Sequence, residues 1–123
     1  MAKKVLIAED SSVIQNIARK VLEFQNFEIA AAKNGKQVLS SLSAEHFDII
    51  LMDINMPVMD GMECTREIRA LADPSKANIP IIAITGNAKN YSAEDFKAAG
   101  INEYMPKPID FDSLVELVKK YTA

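Results

Sequence analysis

The chain alternates, five times over, between an apolar run of strand length and a stretch that reads as a helix. The runs are Val5-Leu-Ile-Ala8, Phe27 to Ala31, Phe47-Asp-Ile-Ile-Leu-Met52, Ile79-Pro-Ile-Ile-Ala-Ile84 and Ile101-Asn-Glu-Tyr-Met105. After the first, Val13, Ile14, Ile17, Ala18, Val21 and Leu22 share one helical stripe, and Ser11 is placed to cap it. Asn34, with Gln37 three residues on, opens a second helix whose Val38, Leu39 and Leu42 face inward. Asp60 caps a third helix that runs to about Leu71. Ser92 with Asp95 starts a short fourth that stops at Gly100 and has a thin apolar face, and Asp110 caps a last one. Ala72 to Asn78, containing Asp73-Pro74, reads as the longest loop.

Strand followed by helix, repeated, implies parallel strands joined by right-handed crossovers, with helices on both faces of the sheet. The third run is apolar nearly throughout, as a central strand covered on both sides must be. The expected fold is α/β, a flavodoxin-like (βα)5 three-layer sandwich with parallel sheet order 2-1-3-4-5. A length of 123 residues suffices for one core, so a single domain over residues 1–123 with no output domain is expected. A net charge of −3 without a basic run argues against direct nucleic-acid binding. No run is long enough to span a bilayer, and Met1-Ala-Lys-Lys4 leads into the first strand without a signal-peptide pattern, so the expected location is the cytoplasm. The lone cysteine, Cys64, suits a reducing compartment and reads as a small half-buried helix residue.

In such a sheet the C-terminal strand ends share one edge, where ligands bind. Glu9-Asp10, Asp53, Thr85 and Lys107 each stand one or two residues past an apolar run, so three carboxylates, a hydroxyl and an ammonium converge there. Each alone has a plainer reading: Glu9-Asp10 as helix caps, Asp53 as a loop residue, Lys107 as a solvated charge. Together the carboxylates repel and raise at least one pKa, a destabilisation that a fold keeps where a cation or a reaction uses it. The all-oxygen donor set suits Mg2+, with Mn2+ as a substitute, and the lack of thiol and imidazole ligands disfavours zinc.

Over its whole length the chain resembles the receiver domains of two-component response regulators. Glu9-Asp10 matches that family's acidic pair, Met52-Asp53-Ile-Asn-Met-Pro57-Val-Met-Asp60-Gly61 its phosphoacceptor signature, Thr85-Gly86 its switch hydroxyl and Tyr104-Met-Pro-Lys107-Pro108 its aromatic-and-lysine motif. The resemblance implies that Asp53 takes a phosphoryl group from the phosphohistidine of a sensor histidine kinase or histidine phosphotransfer protein. It implies Mg2+ held by Asp10, Asp53 and the Asn55 carbonyl, with Glu9 acting through a water. Lys107 and Thr85 would contact the phosphoryl oxygens, Gly86 would leave room for the group, and Asn55 and Asn87 would tune its lifetime. A cis Lys107-Pro108 bond is expected, aiming the lysine over the site. Thr85 and Tyr104 would then switch the face made by the fourth predicted helix, the fifth strand and the last helix, altering affinity for an unidentified downstream protein. The resemblance implies a monomer, with dimerisation on phosphorylation a further option, that is not a turnover enzyme on external substrates.

Two rivals are disfavoured by particular residues. A phosphohydrolase of the haloacid-dehalogenase type wants a second acid two residues after its nucleophile, and Asn55 stands there. A flavin binder wants a phosphate-cradling loop after strand 1, where Ala8-Glu-Asp-Ser-Ser12 puts two negative charges instead. His46, at the opposite sheet edge from the acids, reads as a surface residue, and Met52, Met56, Met59 and Met62 read as adaptable packing around the acidic loop.

Overall fold

Lys4–Ala8 (β1), Glu28–Ala32 (β2), Ile49–Asp53 (β3), Ile81–Thr85 (β4) and Glu103–Pro106 (β5) form one sheet. All its pairs are parallel and its order is β2-β1-β3-β4-β5, the flavodoxin-like arrangement. The computed structural model describes residues 2–86 and 91–123. Within them lie the helices Ser12–Phe24 (α1), Gly35–Ala44 (α2), Gly61–Arg69 (α3), Pro74–Ala77 (α4), Ala93–Ala99 (α5) and Phe111–Thr122 (α6).

The caps follow the side-chain chemistry. The side-chain oxygens of Ser11, Asn34, Asp60, Ser92 and Asp110 each accept a backbone N–H from the first turn of their helix. Ser92 and Asp95 form both halves of a capping box, and Gly100 closes α5 at φ +100°. Two layers of apolar side chains then hold the sheet. Val5, Ile7, Ile49, Leu51, Ile82 and Ile84 pack on Ala18 and Leu22 of α1 and on Leu114 and Val118 of α6. Leu6, Ile50, Met52 and Ala83 project to the other side, against Val38 and Leu42 of α2, Ile68 of α3 and Phe96 of α5. Each such Leu or Ile contributes about 2 kcal/mol by leaving water, so the strands that end at the acidic edge are its rigid base. Every residue of β3 and β4 is buried.

The structure corrects five expectations, the half-burial of Cys64 among them. Ala72 to Asn78 is not all loop: Asp73 caps α4 and Pro74 occupies its first turn, a helix-start pair in which proline's missing N–H costs nothing. The third helix ends at Arg69, with Ala70 as its cap, short of Leu71. The β3 and β4 strands are shifted toward the C-terminus, beginning at Ile49 and Ile81, so that Asp53 and Thr85 are their last residues and not the residues after them. Finally, the α1 stripe is wider than the core it covers. Ala18 and Leu22 are buried, whereas Val13 is 69% exposed and Ile17 43% exposed. Cys64 is fully buried, with its Sγ 3.5 Å from the Gly35 carbonyl, and burial pushes its thiol up to about 12. The four methionines pack in or against the core layer on the α2 and α3 side.

Candidate functional site

The carboxylates of Glu9, Asp10 and Asp53 come together where β1 and β3 end side by side, with ligand oxygens all within 4.8 Å of one another. Adjacent parallel strands end level, so residues distant in sequence become neighbours without any loop having to carry them there. Glu9 is 3% exposed and Asp53 1%, while Asp10 is open to solvent. The chain supplies some donors of its own. The Ser11 N–H bonds Glu9 Oε1 at 3.1 Å and the Asn55 N–H bonds Asp53 Oδ1 at 3.1 Å. Gln15, on α1, donates to the carbonyls of Glu9 and Ala32, holding the end of β1 against β2.

Among the described residues, one cation faces this group. Lys107, just past β5, places Nζ 3.3 Å from Asp53 Oδ2 and 3.4 Å from Glu9 Oε2. Its backbone N–H bonds the Thr85 carbonyl at 2.8 Å, and the Lys107-Pro108 peptide is cis, as expected. The balance of charge remains negative. Among the described residues, the buried Glu9 Oε2 has no well-formed hydrogen bond, its contact with the ammonium being an ion pair at 3.4 Å. Burial is the main reason that the Glu9 pKa rises from 4.5 to about 7; the Asp53 charge adds to it, against the opposing Ser11 N–H and Lys107. Partial burial works against the ammonium of Lys107, yet Asp53 and then Glu9 outweigh it and raise its pKa. An orphaned buried oxygen within an all-oxygen cluster is a site that a hard divalent cation would complete.

Thr85 ends β4 and is buried. Gly86 follows and is exposed; a Cβ there would lie 3.6 Å from Lys107 Cδ, an ordinary contact among the described residues. Pro108 is exposed beside Lys107. Asn87 lies outside the described residues. Tyr104 is exposed on β5 with its ring stacked on Phe96, centroids 4.9 Å apart. His46 is well away from this cluster, its exposed ring 3.2 Å from Asp48 Oδ1 at the opposite edge of the sheet.

Two features of the loop after Asp53 escaped the sequence reading. Gly61 stands in the sequence as the residue after a cap and the last of the phosphoacceptor signature, with no sign of its packing, yet a Cβ there would lie 2.5 Å from the Asp53 carbonyl and 2.9 Å from Ile54 Cα. Only glycine lets α3 start this close to the end of β3. Val58 has φ +70°, and the Met59 N–H bonds the Pro57 carbonyl at 2.7 Å across it, a tight γ-turn that strains a β-branched residue. No local signal marks that strain, since Pro57 and the following Asp60-Gly61 predict a turn but not which residue bears it.

Comparison with known proteins decides what kind of molecule carries this cluster. The family profile described as response regulator receiver domain matches residues 5–119. The chain belongs to that family. It is 31% identical over 121 residues to the polar-differentiation response regulator DivK of Brucella ovis, covering 98% of this chain and 97% of that one. It is also 40% identical over 119 residues to hybrid signal transduction histidine kinase M of Dictyostelium discoideum, but there 94% of this chain corresponds to 5% of the relative. The chain likewise spans only 7% and 17% of two further kinases that it matches. Among solved structures it resembles the receiver domain of a sensor histidine kinase from Pseudomonas aeruginosa, with TM-score 0.88, 32% identity and coverage of 99% and 98% of the two chains. That structure has a magnesium ion coordinated in its active site cleft. A chemotaxis response regulator of Vibrio cholerae is similar at TM-score 0.87 and 26% identity, covering 98% and 99%. The chain is thus a receiver domain, a signalling module of two-component systems.

Proposed function

We propose that the chain accepts a phosphoryl group on the Asp53 carboxylate from a phosphohistidine of a histidine kinase or phosphotransfer protein. The observation that carries the reading is a buried carboxylate at a strand end, 3.3 Å from an ammonium and beside a second buried carboxylate whose Oε2 has no well-formed hydrogen bond among the described residues. An Asp53 oxygen attacks phosphorus, the P–O bond forms as the P–N bond breaks, and the departing imidazole keeps the electron pair and takes a proton from solvent. Lys107, already within reach of Asp53, follows the new charge as a mobile point donor, and the Thr85 hydroxyl donates to another phosphoryl oxygen. Glu9, Asp10, Asp53 and the carbonyl of Asn55 would hold Mg2+, which supplies charge neutralisation at the phosphoryl oxygens. Val13 and Ile17 support a protein donor, because their exposed side chains lie on the helix whose Ile14 and Ile17 line a shallow cavity with Lys107, Pro108, Ile109 and Phe111.

Signalling follows from the same contacts. A phosphoryl group that draws Thr85 toward Asp53 frees space for the ring of Tyr104, so the surface of α5, β5 and α6 changes shape and with it the affinity for a downstream protein. The change is a population shift bounded by the differential contacts of the two states.

The test is intact-protein mass after incubation with acetyl phosphate, with and without Mg2+, on the wild type and on Asp53→Asn. A Mg2+-dependent gain of one phosphoryl group that the variant lacks is expected. An adduct that persists in Asp53→Asn would move the acceptor elsewhere, and no adduct, with no phosphate released, would leave a receiver fold that acts without phosphorylation.

A further inference from the structure

At the other edge of the sheet a single side chain joins four segments. Arg69, the last residue of α3, donates from Nε and Nη2 to the Gly100 carbonyl at 2.9 and 2.7 Å, and from Nη1 to the carbonyls of Ala77 and Ile79, both at 2.7 Å. Its Nη2 also bonds Asn102 Oδ1 at 3.0 Å. Asn102 in turn clasps the start of β4, its Oδ1 accepting the Ile81 N–H at 2.8 Å and its own N–H bonding the Ile81 carbonyl at 2.9 Å. None of these acceptors is a carboxylate. The arginine stem also packs on the helix end, where a Cβ at Gly100 would lie 2.7 Å from Arg69 Cγ. A planar fork of donors fixes direction as well as distance, which a flexible ammonium does not.

The two ends of α5 are therefore held differently. At its C-terminal end, charge-assisted bonds from outside the helix meet the Gly100 carbonyl. At its N-terminal end, among the described residues, the Ser92 and Asp95 bonds stay within one turn, and the rings of Tyr91 and Tyr104 meet the mid-helix, buried Phe96 through apolar contacts rather than hydrogen bonds.

We infer that Arg69 is the fixed pivot of α5: it anchors residues 100–102 to α3, α4 and the start of β4, so that the helix responds by swinging its N-terminal end about Gly100. The source of the swing rests on the proposed switch through Thr85 and Tyr104; the pivot rests on the Arg69 geometry alone. The device confines the change to the N-terminal end of α5.

Two measurements on the full chain separate those grounds. Amide hydrogen exchange in the unphosphorylated protein tests the anchor. Arg69→Gln is expected to speed exchange at residues 100–102 by about tenfold more than in β1 and β3, as local opening would. A uniform change across the chain, or none at residues 100–102, would overturn the anchor. Arg69→Lys keeps the charge without the fork and should give a smaller change of the same pattern, so the test survives if the glutamine variant fails to fold. NMR shifts on a sample whose adduct is verified by mass then test the swing: large changes at residues 93–96 and 104 and small ones at 100–102 are expected. Equal changes at 100–102 in the wild type would refute the pivot, whereas absence of an adduct counts against the phosphoacceptor reading and leaves the exchange result to decide the anchor.

Discussion

At the C-terminal edge of the sheet, Glu9 and Asp53 are buried beside the Lys107 ammonium, and among the described residues Glu9 Oε2 is left without a well-formed hydrogen bond. At the N-terminal edge the buried and half-buried polar groups satisfy each other. Arg69 bonds the carbonyls of Ala77, Ile79 and Gly100, and Asp48 accepts the Lys4 N–H at 2.8 Å. The pKa directions carry the same contrast. Burial lifts Glu9 above the carboxylate range, whereas for Asp48 a smaller burial penalty is outweighed by the Lys4 N–H and then His46, and its pKa is lowered. A fold can therefore bury polar groups at either edge; it leaves them underserved only where something else is to bind.

The largest effect should come from removing the better-satisfied side. Arg69→Ala strips donors from three backbone carbonyls around α4, β4 and α5 at once. Because the guanidinium is half-buried, water replaces it only in part, and a loss of about 3 kcal/mol in urea unfolding is expected. A loss no larger than that of an ordinary surface arginine would show that these carbonyls are served by solvent.

At the opposite edge the expected sign reverses. The Glu9 pKa is raised in the folded chain from 4.5 to about 7, so its contribution is fully present below about 4.5 and is lost as pH rises through about 7. In chelator, Glu9→Gln should therefore be more stable than the wild type on the alkaline side, by about 2 kcal/mol, and equal to it in acid. Mg2+ should shrink that gap by stabilising the wild type, since a ligand that binds only the folded state adds to its stability. Parallel pH profiles of the two proteins would remove the claim that Glu9 is underserved.

The same contrast explains what was legible in the sequence. The apolar runs and caps predict the sheet order because burial and capping depend on residue type at fixed spacing, and Ser92, Asp95 and Gly100 bound α5 as expected. Glu9, Asp10, Asp53 and Lys107 were legible as a group because parallel strand ends are level. What escaped were relations that no spacing encodes. Val13 and Ile17 fit the helical stripe but overhang the core, Gly61 is required by the approach of a distant carbonyl, and the Arg69 acceptors are backbone oxygens that carry no residue identity.

A smaller effect tests the loop next to Asp53. Val58 holds φ +70° in the turn, a conformation that a β-branched residue adopts only under constraint. Val58→Gly relieves the strain but adds chain entropy to the unfolded state, for a net gain of about 1 kcal/mol in stability. The variant should still take up phosphate from acetyl phosphate, since the Asp53 bond to the Asn55 N–H does not involve the valine side chain. A destabilised variant would mean that the exposed valine makes contacts outweighing its strain.

The smallest effect concerns Asp48, and its sign separates the two edges most sharply. A lowered folded pKa means that Asp48 contributes stability above its unfolded value near 3.8 and loses that contribution as pH falls through the folded value. Asp48→Asn should thus remove a shallow acid dependence, worth no more than about 1 kcal/mol because the group is partly solvated and the N–H of Lys4 retains a side-chain acceptor in the amide. Glu9→Gln should leave that acid limb intact and abolish only the alkaline one. If the two substitutions altered the same limb of the stability profile, the edges would not differ in how they treat charge, and the case for Glu9 and Asp53 as a site held open for a cation and a phosphoryl group would lose its physical basis.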